Sequence, residues 1–110
     1  MHELGITRNI VSICSEQAQG RRVTRVRVEI GELAGIMPEA IQFCFGVCRE
    51  GTLLADARLE VVSVAGRGLC EICGNEWPMP EVFSRCGCGR QGELHCLVGK
   101  DMKITEMEVQ

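Results

Sequence analysis

Residues 23–30 read VTRVRVEI, in which Val26, Val28 and Ile30 alternate with Arg25, Arg27 and Glu29. That period of two belongs to a strand with one dry and one wet face, so a strand is predicted from Val23 to Ile30. Upstream, Ile6, Ile10, Ile13, Cys14 and Ala18 recur at helical spacing with Arg8, Glu16 and Gln19 between them, and Gly20 stands where such an element would stop. A helix over about residues 4–19 is expected. Downstream, Gly31 and Gly35 bracket a turn, and Pro38 suits the first position of a second helix that carries Ile41, Cys44, Phe45 and Cys48 on one face and closes at Gly51. The segments Arg58 to Val64 and Met102 to Val109 are strand-like. Alternation in the last of them slips near Glu106 and Met107, as a bulge would make it do.

The fold class expected is therefore α+β. A small mixed α/β domain, with two helices on a roughly three-stranded sheet, is assembled from residues 1–64 and 101–110 and interrupted by an inserted cysteine-rich lobe at residues 65–100. At 110 residues the chain has room for one modest core plus such a lobe, and not for two ordinary domains. Hydrophobic residues make up 45% and charged residues 25%, which is the balance of a globular protein in water. No apolar run approaches the ~18 residues of a membrane span. The start, Met1-His2-Glu3-Leu4-Gly5, has neither the basic flank nor the apolar stretch of a secretory signal, so a cytoplasmic location is expected. A net charge of −3 argues against nucleic acid as a partner.

Eight cysteines in a chain without a secretory signal read as metal ligands and buried thiols in preference to a disulfide framework. Cys70 and Cys73, followed by Gly74, have the form of a zinc knuckle, because two thiolates three positions apart reach one metal while the glycine turns the backbone beneath them. The second pair, Cys86 and Cys88, is separated by one residue in place of the usual two, with glycines at 87 and 89 to bend the chain. A tetrahedral four-thiolate Zn(II) site is the assignment, which makes the lobe zinc-ribbon-like. For the last ligand, Cys96 or His95 could replace Cys88, although adjacent strand side chains face opposite ways and only one could reach the metal. The simpler reading makes Cys96 a small buried residue and His95 a solvent-facing one. A lobe of this size holds too little apolar mass to fold unaided, so zinc is expected to be structural, with no open coordination position for catalysis.

His2 has its own chemistry. A free α-amine at Met1, the backbone nitrogen of His2 and its imidazole can close adjoining chelate rings, and Glu3 can add a carboxylate oxygen or its amide nitrogen. Nitrogen-rich tetragonal sites of this kind suit Ni(II) or Cu(II). Met1-His2-Glu3-Leu4, the stretch Val28-Glu29-Ile30-Gly31-Glu32-Leu33 and the cysteine lobe ahead of a short C-terminal strand together resemble the HypA/HybF hydrogenase-maturation family over essentially the whole chain. The resemblance implies a nickel metallochaperone, not an enzyme, with nickel at Met1, His2 and Glu3 and zinc at Cys70, Cys73, Cys86 and Cys88. It implies a HypB-type GTPase as a partner and the immature large subunit of a [NiFe] hydrogenase as the recipient, with urease maturation as a second outlet by family analogy. The departure is the second cysteine pair, C-x-x-C in the family and C-x-C here.

Three rival functions draw on the same residues. A zinc-ribbon nucleic-acid module would need a basic surface, but Glu71, Glu76, Glu81 and Glu93 offset Arg67, Arg85 and Arg90, and a zinc-ribbon adaptor without nickel would leave His2 unexplained. A thiol-redox enzyme could rest on Cys70 and Cys73, or on Cys44 and Cys48 one helical turn apart; the latter two share a face with Ile41 and Phe45 and are read as buried core thiols. The sequence leaves the oligomeric state open, a homodimer among the options.

Overall fold

The apolar spacing of the first segment yields helix α1, His2–Gln17, in the computed structural model, which describes residues 2–88 and 92–110. The helix stops two residues short of the expected end because the backbone turns left-handed at Gln19 (φ 53°) and Gly20 (φ 81°). Its inward stripe is Glu3, Thr7, Ile10, Val11 and Cys14, at intervals of three and four, while Ile13 stays exposed. Strand β1 follows as Val23–Gly31, with Val26, Val28 and Ile30 buried and Arg25, Arg27 and Glu29 half-buried between them. Helix α2, Pro38–Cys48, packs against α1. Its buried line runs through Ile41 and Phe45, which leaves Cys44 and Cys48 at the edge of the stripe, half-buried and not in the core as the sequence suggests.

Strands β2 (Arg58–Val64) and β6 (Met102–Val109) flank β1, giving a three-stranded sheet in the order β2-β1-β6. In β6 the phase slip is real: Thr105 and Glu106 are both exposed between half-buried Ile104 and Met107. The wet face is bound across strands by Arg25. Its guanidinium donates to Glu60 of β2 at 2.6 Å and to Glu108 of β6 at 3.1 Å, with Glu106 at 3.8 Å. That hydrogen bond from Arg25 holds the Glu108 carboxyl below its usual range.

By its internal contacts the chain divides into two units. The first gathers residues up to Glu29, Ile36–Val62 and Lys103–Gln110; the second gathers Ile30–Gly35 and Ser63–Met102. The first unit closes on an aliphatic core that includes Ile10, Val23, Val26, Val28, Ile41 and Leu54, with Phe45 the aromatic among its buried residues. Gln42 of α2 donates to the Leu59 carbonyl of β2 at 2.8 Å, tying the helix to the sheet.

The second unit has its own three-stranded sheet, β4-β3-β5, from Arg67–Cys70 (β3), Glu76–Pro78 (β4) and Leu94–Val98 (β5). Both pairings are antiparallel, with Gly68 opposite Trp77 on one side and Cys96 on the other. Within this unit Leu33 donates its N–H to the Gly99 carbonyl at 2.8 Å, and Glu32 donates to Val64 at 2.9 Å. Its buried cluster is small and sulfur-rich: Cys70, Met79, Cys86 and Leu94, with Leu33, Trp77 and the remaining cysteines 73, 88 and 96 packed around it.

Candidate metal centre

The first knuckle is built by backbone geometry. Cys70 ends β3, and the chain reverses through Glu71-Ile72-Cys73 to Gly74, whose φ of 75° lies in the left-handed region that a glycine takes without strain. The reversal is closed by the Gly74 N–H donating to the Cys70 carbonyl at 2.9 Å and by the Cys70 N–H donating to the Asn75 carbonyl at 3.0 Å. It also turns the N–H groups of Ile72 and Cys73 onto the Cys70 sulfur, each at 3.4 Å. The second knuckle achieves the same with one residue fewer: the Cys88 N–H reaches back to the Cys86 sulfur at 3.1 Å. Gly89, the other glycine of this turn, lies outside the described residues.

The two turns converge. The Sγ atoms of Cys70, Cys73, Cys86 and Cys88 all lie within 4.8 Å of one another, and the Cys73 and Cys86 sulfurs are 3.5 Å apart. Four sulfurs at ~2.3 Å from a tetrahedral zinc would be separated by about 3.8 Å. The donor set and its spacing therefore fit Zn(II), and the three N–H groups aimed at sulfur offset thiolate charge. Burial pushes the Cys86 thiol up to about 12. The backbone N–H of Asn75, and after it the indole of Trp77, pull the Cys73 thiol down. Metal binding would replace the protons of such a cluster, because only the thiolate ligates.

The other two candidate ligands are engaged elsewhere. His95 is exposed and its Nε2–H donates to Glu71 at 3.0 Å. Cys96 is half-buried, not buried as expected, because its thiol turns to the Val98 carbonyl at 3.3 Å. Trp77 is the residue sequence reasoning missed. It lies four residues after the first knuckle and packs on the cysteine cluster, a contact that the cysteine spacing does not announce.

At the other candidate site Met1 lies outside the described residues. His2 is exposed at the head of α1. Glu3 is buried, and its carboxylate accepts the Met37 N–H at 3.2 Å, so it caps the start of α2, where Met37 offers no side-chain cap of its own. Thr7 fixes the same turn by donating to the Glu3 carbonyl at 2.6 Å.

The family model for "Hydrogenase/urease nickel incorporation, metallochaperone, hypA" matches residues 1–109. A protein named hydrogenase maturation factor HypA from Trichodesmium erythraeum is 49% identical, over all of this chain and 96% of its own length. Another of that name from Geobacter metallireducens is 45% identical with both chains fully covered. Among solved structures, the solution structure of the Ni metallochaperone HypA from Helicobacter pylori shares the fold at a TM-score of 0.70, covering 99% of this chain and 97% of that one at 23% identity. With its full length matched and the two-helix, two-sheet architecture shared, the chain belongs to the HypA family of nickel-incorporation metallochaperones that serve hydrogenase maturation.

Proposed function

We propose that this chain takes up Ni(II) through Met1, His2 and Glu3 and delivers it to the immature large subunit of a [NiFe] hydrogenase in the cytoplasm, working with a HypB-type GTPase. Zn(II) on Cys70, Cys73, Cys86 and Cys88 is the structural ion of the second unit, the zinc-binding lobe, and the first unit is the nickel-binding α/β domain. The observation that carries the nickel reading is His2, exposed at the first turn of a helix whose body is anchored by Ile10, Val11 and Cys14. His2 and Glu3 open α1, so their backbone nitrogens are adjacent at its start. A free amine at Met1, those two nitrogens and the imidazole make a nitrogen-rich, planar donor set of the kind Ni(II) favours. Glu3 can serve nickel through its amide while its carboxylate keeps the Met37 N–H. An open chelate at a chain end can pass its ion onward by ligand exchange, and protonation of amine or imidazole weakens it as pH falls.

The test is a calorimetric titration of Ni(II) into three zinc-loaded proteins: wild type, His2→Ala, and a chain extended by two residues ahead of Met1. One nickel site is expected in wild type and none of comparable affinity in the other two, with zinc per chain unchanged. Equal nickel binding in all three would refute the N-terminal site.

A further inference from the structure

Trp77 stands in β4, and β4 pairs with β3, the strand that ends in Cys70, so the indole is located by the same backbone that locates a metal ligand. Its Nε1–H is buried and finds no partner of hydrogen-bond geometry among the described residues. A buried donor left in that condition costs free energy that an acceptor would recover. The other end of the ring fills a definite space. A β-carbon on Gly87 would sit 2.8 Å from Cζ3 and 3.1 Å from Cη2, so the indole occupies the room that a side chain between Cys86 and Cys88 would need.

Backbone N–H groups already serve the sulfurs. Cys70 receives two backbone N–H groups and Cys86 receives one. Trp77 packs on the same buried cluster as Cys73 and Cys88. A thiol is a weak acceptor, whereas a metal-bound thiolate is a strong one.

We propose that Trp77 is a positioning residue of the metal centre: its indole N–H donates to a cysteine thiolate of the loaded site, and its six-membered ring braces the shortened Cys86–Cys88 turn. The brace compensates for the residue missing from the second knuckle. This rests on the zinc reading above, and the experiment keeps the two apart.

Zinc is first counted per chain in wild type, Trp77→Phe and Gly87→Ala; wild type without zinc would sink the zinc reading itself. The zinc-loaded proteins are then challenged with a chromophoric chelator, and their Co(II)-substituted forms are examined for thiolate-to-metal charge-transfer absorption. Trp77→Phe should lose zinc affinity about 10-fold. Its charge-transfer band should move to lower energy, because a thiolate deprived of a hydrogen bond is a better electron donor; a merely structural loss would not shift that energy. Gly87→Ala should move the band in the same direction by displacing the ring. If Trp77→Phe does not fold, wild type loaded with ¹¹³Cd decides: a scalar coupling between the metal and the indole proton supports the hydrogen bond, and its absence overturns the proposal. An unshifted band with unchanged affinity in Trp77→Phe does so equally.

Discussion

The two units solve the same problem at different scales. In the first, Ile10, Val23, Val26, Val28, Ile41, Phe45 and Leu54 are buried together, and apolar area removed from water at ~25 cal/mol per Å² is ample to order two helices on a sheet. In the second, the buried cluster is Cys70, Met79, Cys86 and Leu94, and half of that set is sulfur in position to ligate. A core so small cannot offset the entropy of ordering its strands, which costs on the order of 1–2 kcal/mol per residue for the backbone alone. On the proposed reading, one unit is stable through its side chains and the other requires an ion. The division would then also separate duties, since His2, proposed for nickel at the exposed start of α1, belongs to the unit with the larger apolar core.

The largest expected effect follows directly. Stripping zinc with a chelator, or replacing Cys70 with Ser, should leave amide protection in α1, α2 and β1 while that of β3, β4 and β5 collapses. Hydrogen exchange read residue by residue would show it; uniform loss in both units would break the contrast. Next in size is Ile41→Ala, which opens a cavity at a fully buried position and should cost about 2–5 kcal/mol in urea unfolding while zinc per chain stays constant. Removing the Met37 cap by Glu3→Ala, which leaves no side-chain acceptor, should destabilise the start of α2, read as faster exchange of the Met37 amide.

The smallest effect concerns Arg25. Its bonds to Glu60 and Glu108 span the first sheet, so Arg25→Met should lower the urea midpoint by less than Ile41→Ala does. The sign with pH is set by Glu108, whose carboxyl Arg25 holds below its usual range. Its stabilisation is therefore complete above the unfolded-state value of about 4 and fades as pH falls through the lower folded-state value. A midpoint-versus-pH profile that is flatter in the acid range for Arg25→Met than for wild type is the expected reading.

Legibility in the sequence divides along the same line. Val26, Val28 and Ile30, and the Ile41 and Phe45 pair, announced the first unit because strands and helices of ordinary length imprint their period on the apolar residues. The expected second-helix thiols were displaced from core to edge because a helical stripe has a centre and a margin, and spacing alone does not distinguish them. In the lobe only the strand through His95 and Cys96 was expected. β3 and β4 span four and three residues, too short for a period, and are organised by turns around sulfur. The cysteine spacing did point to the four residues that converge, yet it carried no sign that Glu3 would face Met37 or that Trp77 would lie against Gly87. Those contacts join positions 34 and 10 residues apart, and nothing local encodes them.

Trp77 has an optical consequence too. The chain contains one tryptophan and no tyrosine, so its near-ultraviolet absorption and intrinsic emission arise almost wholly from the lobe. Fluorescence would follow the state of the second unit against a dark background, and unfolding of the helical unit would be nearly invisible to it. Emission and far-ultraviolet circular dichroism, recorded on one unlabelled sample, thus become separate reporters of the two halves of a single small protein.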